Sequence, residues 1–189
     1  MTGQQIKSAS ITALDTIDAS GTPIVANSRG KGAPGHLVEQ SDFVTVTLAG
    51  LVDTSSTYNM VRVPWTAKIK SIDVTADAAL DTSTGLAIDV GAYYTDSLVE
   101  GLIDPSLAGT AVGSAVNQFY SAGTLFQSSI KTGNALTGFT TAKKNKELWD
   151  ALGLSKNPGG FCDIVVAVHT VATSGGSGGV LGLQVKYVE

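Results

Sequence analysis

Alternation of apolar and polar residues is the clearest signal along this chain. "FVTVTLAG", from Phe43, puts Val44, Val46 and Leu48 on one side and Thr45 and Thr47 on the other. That period of two marks a half-buried strand. "DTSSTY", from Asp53, follows as a turn, since short polar side chains bond to nearby backbone. "YNMVRV" predicts a second strand that stops at Pro64, which has no N–H for a ladder. Next comes "TAKIKSIDVTAD", where the phase breaks. Ile69 has odd parity, whereas Ile72, Val74 and Ala76 have even parity. A β-bulge near Lys70–Ser71 would rotate the strand in this way and let it bend between surfaces. A strand with both faces partly covered would also fit.

"LDTST", from Leu80, repeats the turn chemistry, and "GLAIDVGAYY" then aligns Leu86, Ile88, Val90, Ala92 and Tyr94. From about 97 to 160 the pattern is less regular. "LIDPSLAG" reads as a turn into a short helical piece after Pro105, and "NQFYSAGTLFQ" as a further strand. "TTAKKNKELWDALG" predicts the main helix. Thr140 or Thr141 caps it, Leu148, Trp149 and Leu152 form its stripe, and Gly153 takes the left-handed position after its end. "FCDIVVAVHTVAT" is apolar on both faces through Ile164–Val168, as a central strand is. "GVLGLQVKYVE" turns Leu181, Leu183, Val185 and Tyr187 inward and Gln184 and Lys186 outward. "SGGSGG" between these two suits an antiparallel hairpin.

These elements predict a mainly β fold: an antiparallel two-sheet sandwich, jelly-roll-like, with one short helix. Residues 1–40 differ from the rest. "GTPIVANSRGKGAPGHLVEQ" holds Gly, Pro and Asn without a sustained period. Such a segment is disordered or orders against something else. The isolated apolar residues Ile11, Leu14, Ile17, Ile24 and Val25 favour an extended N-terminal arm, leaving 41–189 as the β-sandwich domain.

Composition narrows the function classes. Of 189 residues, 15% are charged and 6% aromatic, with 22 glycines, as in a turn-rich β protein. At this length a fold removes roughly 70% of the unfolded surface from water without a metal or disulfide. A net charge of -4 gives no basic footprint for nucleic acid. The single cysteine, Cys162, excludes an intrachain disulfide and reads as a small buried hydrophobe. "MTGQQIKSAS" lacks the apolar core of a secretory signal, and no apolar run approaches the ~20 residues of a membrane span. Synthesis in the cytoplasm is the expectation.

No motif assembles a catalytic, cofactor-binding or metal site. "GKGAPG", from Gly30, matches G-x-G-x-x-G, but Pro34 interrupts it and no helix follows to receive a phosphate. "GGSGG", from Gly175, matches G-x-S-x-G, but Ser177 would join two strands instead of a strand and a helix. Of the two histidines, His36 and His169, the second shares a strand with Asp163. Six residues of strand separate those side chains by ~20 Å, beyond hydrogen-bond reach. His169 reads as a strand-surface or satisfied inner histidine, and two histidines with one cysteine do not suggest zinc. Asp53, Asp73, Asp77, Asp81, Asp89 and Asp96 are dispersed as turn formers, not clustered as calcium ligands are. Lys143, Lys144 and Lys146 form a basic patch at the start of the expected helix, where the dipole disfavours them. A solvated face or an acidic partner surface explains them.

The order of pieces resembles a loose group of tailed-bacteriophage structural proteins, the head decoration or cement proteins of jelly-roll type. The resemblance rests on "SASITALD", "STYNMVRVPWTAKIKSIDVTADA", "LAIDVGAYY", "LIDPSLAG", "LWDALGLSKNPGGFCDIVVAVHTVAT" and "GLQVKYVE", which together cover most of the chain. It implies a non-enzymatic protein on the exterior of a virion head, with the major capsid protein as partner. It also implies a homo-oligomer, a trimer favoured, and neither nucleic acid nor membrane. Three other readings stay open. One is a fibre-base component of a virion. Another is a carbohydrate-binding module using Tyr93, Tyr94, Trp65 or Trp149 as a stacking platform, which the low aromatic content disfavours. The third is an enzyme with a nonstandard site, against which the lack of any coherent acid–base or metal set stands.

Overall fold

In a computed structural model, the described residues are 5–8, 11–12, 35–77, 80–81, 85–95, 104–113, 116–127, 132–172 and 178–189. They hold nine strands: β1 (Gln5–Lys7), β2 (Leu37–Val46), β3 (Thr57–Pro64), β4 (Lys68–Ala76), β5 (Ala87–Tyr94), β6 (Tyr120–Gly123), β7 (Thr132–Asn134), β8 (Phe161–Thr170) and β9 (Gly179–Val188). The five-stranded sheet has the order β1-β3-β8-β5-β6, and the four-stranded sheet β2-β9-β4-β7. Between β2 and β9 the pairing is nested. β2 pairs with β9, β3 with β8, β4 with β7 and β5 with β6, all antiparallel. That is one long hairpin rolled upon itself, the jelly roll the alternation implied. β1 is added outside this nest, parallel to β3.

The inner faces build one core. Tyr58, Val61, Val63, Val90, Ala92, Ile164 and Val166 come from one sheet, and Val44, Val46, Ile72, Val74, Leu183 and Val185 from the other. Phase breaks in the strands serve that core. In β4, Ile69 pairs with Tyr187 and Ser71 with Lys186, so Lys70 is the extra residue of a bulge. Ile69 and Ile72 are both buried as a result. The bulge therefore does not carry β4 to a second surface. It corrects the phase so that odd and even apolar positions reach the same core. In β3 the register shifts between Asn59 and Val61, and Met60 and Val61 are both buried.

Several expectations change against the fold. Leu48 does not continue β2. It opens a one-turn helix, α1 (Leu48–Leu51), whose cap Thr47 accepts the Gly50 N–H at 3.3 Å, and it faces solvent. The single expected helix over 140–153 is broken. A 3₁₀ turn (Lys143–Asn145) and a one-turn helix, α2 (Leu148–Ala151), are separated by extended backbone at Lys146 and Glu147. Tertiary pairing explains the break, because Leu148 N–H donates to Ala67 O and Trp149 N–H to Trp65 O. Thr140 still accepts the Lys143 N–H, at 3.4 Å, and Gly153 has the expected left-handed φ of 79°. From residue 35 onward, the described residues thus hold two short α-helices, not one.

β8 and β9 are not a hairpin. They lie in different sheets, so "SGGSGG" connects the two layers. Gly178 shows one reason for small residues there: a Cβ would lie 2.6 Å from Val46 O. The first long strand starts at Leu37, inside the segment assigned to the arm. Leu14, Ile17, Ile24 and Val25 lie outside the described residues, but Ile11 is buried and Ser8 Oγ donates to Met60 O at 3.0 Å.

Two predictions follow from this core. Deleting Lys70 forces one apolar set of β4 off the core and should cost about 2–4 kcal/mol in urea unfolding. Lys70→Ala removes only the side-chain bonds to Lys144 O and Asn145 Oδ1 and should cost less than about 1 kcal/mol. Equal losses would refute the phase-correcting role. Tyr58 is buried, and burial raises its phenol pKa from 10.0 to about 12. The folded chain keeps a proton that the unfolded chain releases. This stabilisation is complete below pH 10 and is lost as pH rises towards about 12. The Tyr58 hydroxyl has no hydrogen-bond partner among the described residues. Tyr58→Phe should therefore change neutral-pH stability by less than about 1 kcal/mol. It should also raise the alkaline unfolding midpoint, read by circular dichroism.

Candidate functional site

The sequence left few chemical candidates, and of those described the fold joins Asp89 to His169 but not Asp163 to His169. Asp163 does not approach His169. It forms a bidentate pair with Arg62, with Nε–Oδ1 at 2.6 Å and Nη2–Oδ2 at 2.9 Å, both side chains buried. Arg62 and Asp163 pair in register across β3 and β8, beside Tyr93 of β5. This row lies on the face turned away from the sandwich core. That face is also closed, since Thr57, Val165, Ala167 and Asp89 are buried there. Segment 116–118 covers part of it, so closely that a Cβ on Gly91 would lie 2.7 Å from Val116 C.

His169 instead bonds Asp89, with Nδ1 2.9 Å from Oδ2. Ala87 pairs with Thr170 and Ile88 with Val168, so His169 is the extra residue of a bulge in β8. Asp89 Oδ1 also accepts the Ala122 N–H at 2.6 Å. Among the described residues no hydroxyl or thiol bonds to the His169 ring, and Cys162 is buried in the core. A histidine and a carboxylate without a nucleophile make a surface pair. His36 is exposed, and "GKGAPG" up to Pro34, together with Ser177, lies outside the described residues.

The aspartates mostly act on backbone. Asp53 Oδ1 accepts Ser55 N–H and O–H at 2.9 and 2.6 Å, which holds its carboxyl below the ordinary value. Asp77 accepts the Val180 N–H at 2.7 Å, and buried Asp81 the Leu86 N–H at 2.8 Å. Asp73 pairs with Asn134 and Gln184 across β4, and Asp96 lies outside the described residues. Among the described residues no three His, Cys, Asp or Glu gather for a metal ion. The aromatic candidates form no platform. Trp65 and Tyr94 meet at 5.3 Å between ring centroids but are buried, and Trp149 Nε1 donates to Glu147 Oε2 at 2.6 Å.

What remains is an exposed surface. Among the described residues the exposed large hydrophobic ones are Leu37 (61% exposed), Phe43 (66%), Leu48 (47%) and Val52 (39%). All lie within β2, α1 and the residue after α1. β2 is an edge strand of ten residues that pairs only with β9 among the described residues. The other sheet edges end in β1, β6 and β7, of three or four residues each. Long open edges are templates for another chain, and an exposed aromatic on one is an anchor in waiting. Phe43 lies opposite Gly182, so no β9 side chain shelters it. The alternation placed Val44 and Val46 correctly but left Phe43 and Leu37 unremarked. Their parity, opposite to Val44 and Val46, was the available signal. Arg62 and Asp163 had a signal too: Arg62 is the lone charged residue of β3, and Asp163 the lone carboxylate in the apolar run of β8.

No family model matches this sequence, and no curated protein matches it. Solved structures share its fold. A chain of the capsid of Ralstonia phage GP4 is 16% identical, with a TM-score of 0.60, over 98% of both chains. A chain of the cyanophage Pam1 capsid asymmetric unit is 18% identical, with a TM-score of 0.50, over 92% of this chain and 98% of that one. Likeness at this identity is a likeness of fold, and it runs nearly end to end.

The buried pair makes its own prediction. Arg62→Met leaves Asp163 charged in a closed layer and should cost about 3–5 kcal/mol. Adding Asp163→Leu should recover a large part of that loss. Urea titrations of both variants decide it, and a double variant no more stable than Arg62→Met would show that the pair is not the unit that matters.

Proposed function

We propose that this chain is a structural, non-enzymatic protein of a phage virion, a decoration or cement protein on the exterior of the head. The observation that carries this reading is the end-to-end likeness of fold to chains from two phage capsids. The partner is the major capsid protein, and the protein acts as a homo-oligomer, a trimer favoured, because small interfaces repeated around a closed ring gain by multivalency. The N-terminal arm, expected over residues 1–40, contacts the shell or a neighbour through its part ahead of β2, while its described pieces β1 and Ile11 pack on the sandwich. Ordering such a segment on binding costs entropy but covers a wide surface.

The fibre-base reading and the carbohydrate reading have no specific observation in their favour. Buried Trp65 and Tyr94 weaken the second. Undecorated heads of the phage that encodes the chain provide the test. The full-length protein should co-sediment with them and raise the temperature at which they release DNA. A chain beginning at Gly35 keeps β2 to β9 and should remain folded by circular dichroism while losing particle binding. Absence of binding by the full-length chain would defeat the proposal, and normal binding by the shortened chain would defeat the role of the arm.

A further inference from the structure

Charge is distributed unevenly along this chain in a way its net value of -4 conceals. Residues 32–61 contain no Lys or Arg, and residues 105–146 contain no Asp or Glu. The fold sets parts of these two stretches at opposite edges of the four-stranded sheet, while most of β3 and all of β6, also within them, belong to the other sheet. From the first, β2 and α1 with the residues after it bear Glu39 and Asp53 beside exposed Leu37, Phe43, Leu48 and Val52. From the second, β7, Ala135 and the 3₁₀ segment lie along β4 on the side away from β9. Ala135 N–H donates to Ile72 O, and Lys70 Nζ reaches Lys144 O at 2.8 Å. Lys143, Lys144 and Lys146 sit there, and Trp149, Leu152 and Leu154 nearby are only partly covered by the core.

The β2 side therefore carries Asp53 and a Glu39 that Lys186 of β9 pairs at 3.3 Å, beside apolar ground, and the other side carries three lysines, of which Lys146 pairs with Asp150 at 3.0 Å, also beside apolar ground. Two β2 edges brought together would oppose acid to acid. An acidic side brought against a basic side pairs opposite charges and joins apolar surfaces. Such a contact uses two different patches of one chain, so it is heterologous and can close into a ring.

We propose that the β2–α1 surface is the docking face for a second copy of this chain, which presents its Lys143–Lys146 segment. Phe43 and Leu48 form the apolar centre and Glu39 and Asp53 the charged rim. This deepens the reading of a ring-forming virion protein, yet it concerns the isolated protein alone and is tested without particles.

The test is sedimentation velocity and native mass spectrometry on three full-length samples. The unaltered chain should self-associate, more weakly as salt rises. Phe43→Glu damages only the docking face, and Lys143→Glu with Lys144→Glu damages only the basic side. Each should be monomeric. Mixed together they retain one intact interface and should form a one-to-one heterodimer that grows no further. Leu48→Glu serves in place of Phe43→Glu if that variant melts early. A monomeric unaltered chain overturns the proposal, as does self-association indifferent to the lysines, or a mixture that fails to pair. A chain that binds heads yet stays monomeric would leave the virion reading intact and remove this interface.

Discussion

β8 has water on neither face along most of its length, and the rest of the molecule is arranged around that constraint. It is the middle strand of its sheet, flanked by β3 and β5, and Cys162 to Val168 are all buried. On the inner side Ile164, Val166 and Val168 meet the four-stranded sheet. On the outer side Asp163, Val165 and Ala167 are closed over as well. A charge in such a layer must be matched at once, because desolvation costs more than any screened attraction returns. Arg62 sits directly across from Asp163 and supplies the match in bidentate form. The pair is better understood as fixing the register of β3 on β8 than as adding to stability.

The same constraint explains the bulges. A strand that must fill one core cannot let its apolar parity drift, yet the sequence changes parity in β3 and in β4. Met60 and Lys70 absorb the change. A bulged residue is also released from the in-and-out alternation of its strand. Lys70 uses that release to tie the 3₁₀ segment to β4, and His169 uses it to reach Asp89. Three irregularities that resemble defects in the ladder thus serve the phase of the core, the attachment of the 3₁₀ segment and a side-chain link between β8 and β5.

These details separate what the chain discloses in one dimension from what it withholds. Strand existence was legible because the sandwich demands a period of two, and Leu181, Leu183, Val185 and Tyr187 obey it without exception. The bulge at Lys70 was legible for the same reason, as a broken period. The helix over 140–153 was not, since its capping and apolar stripe are local, whereas the backbone groups of Leu148 and Trp149 are drawn to Ala67 and Trp65, some eighty residues earlier. Sheet assignment failed at β8 and β9 because a glycine-rich link permits a hairpin and a crossover alike. The Arg62–Asp163 pair was hidden by a sequence separation of 101. The docking surface was hidden by its own regularity: Phe43 and Leu37 look like ordinary strand residues until β2 is known to be an edge.

That last point connects the fold to its use. Rolling a hairpin into two sheets leaves four edges, and three are closed by short strands. The fourth, β2, is ten residues long, carries exposed apolar side chains and has no lysine to discourage pairing. An edge strand usually defends itself with lysine, proline or brevity. β2 has an inward-turned Asp42 and, on its outer face, a Glu39 held by Lys186, which still leaves Leu37 and Phe43 exposed. A surface held open in this manner is suited to contact with another chain.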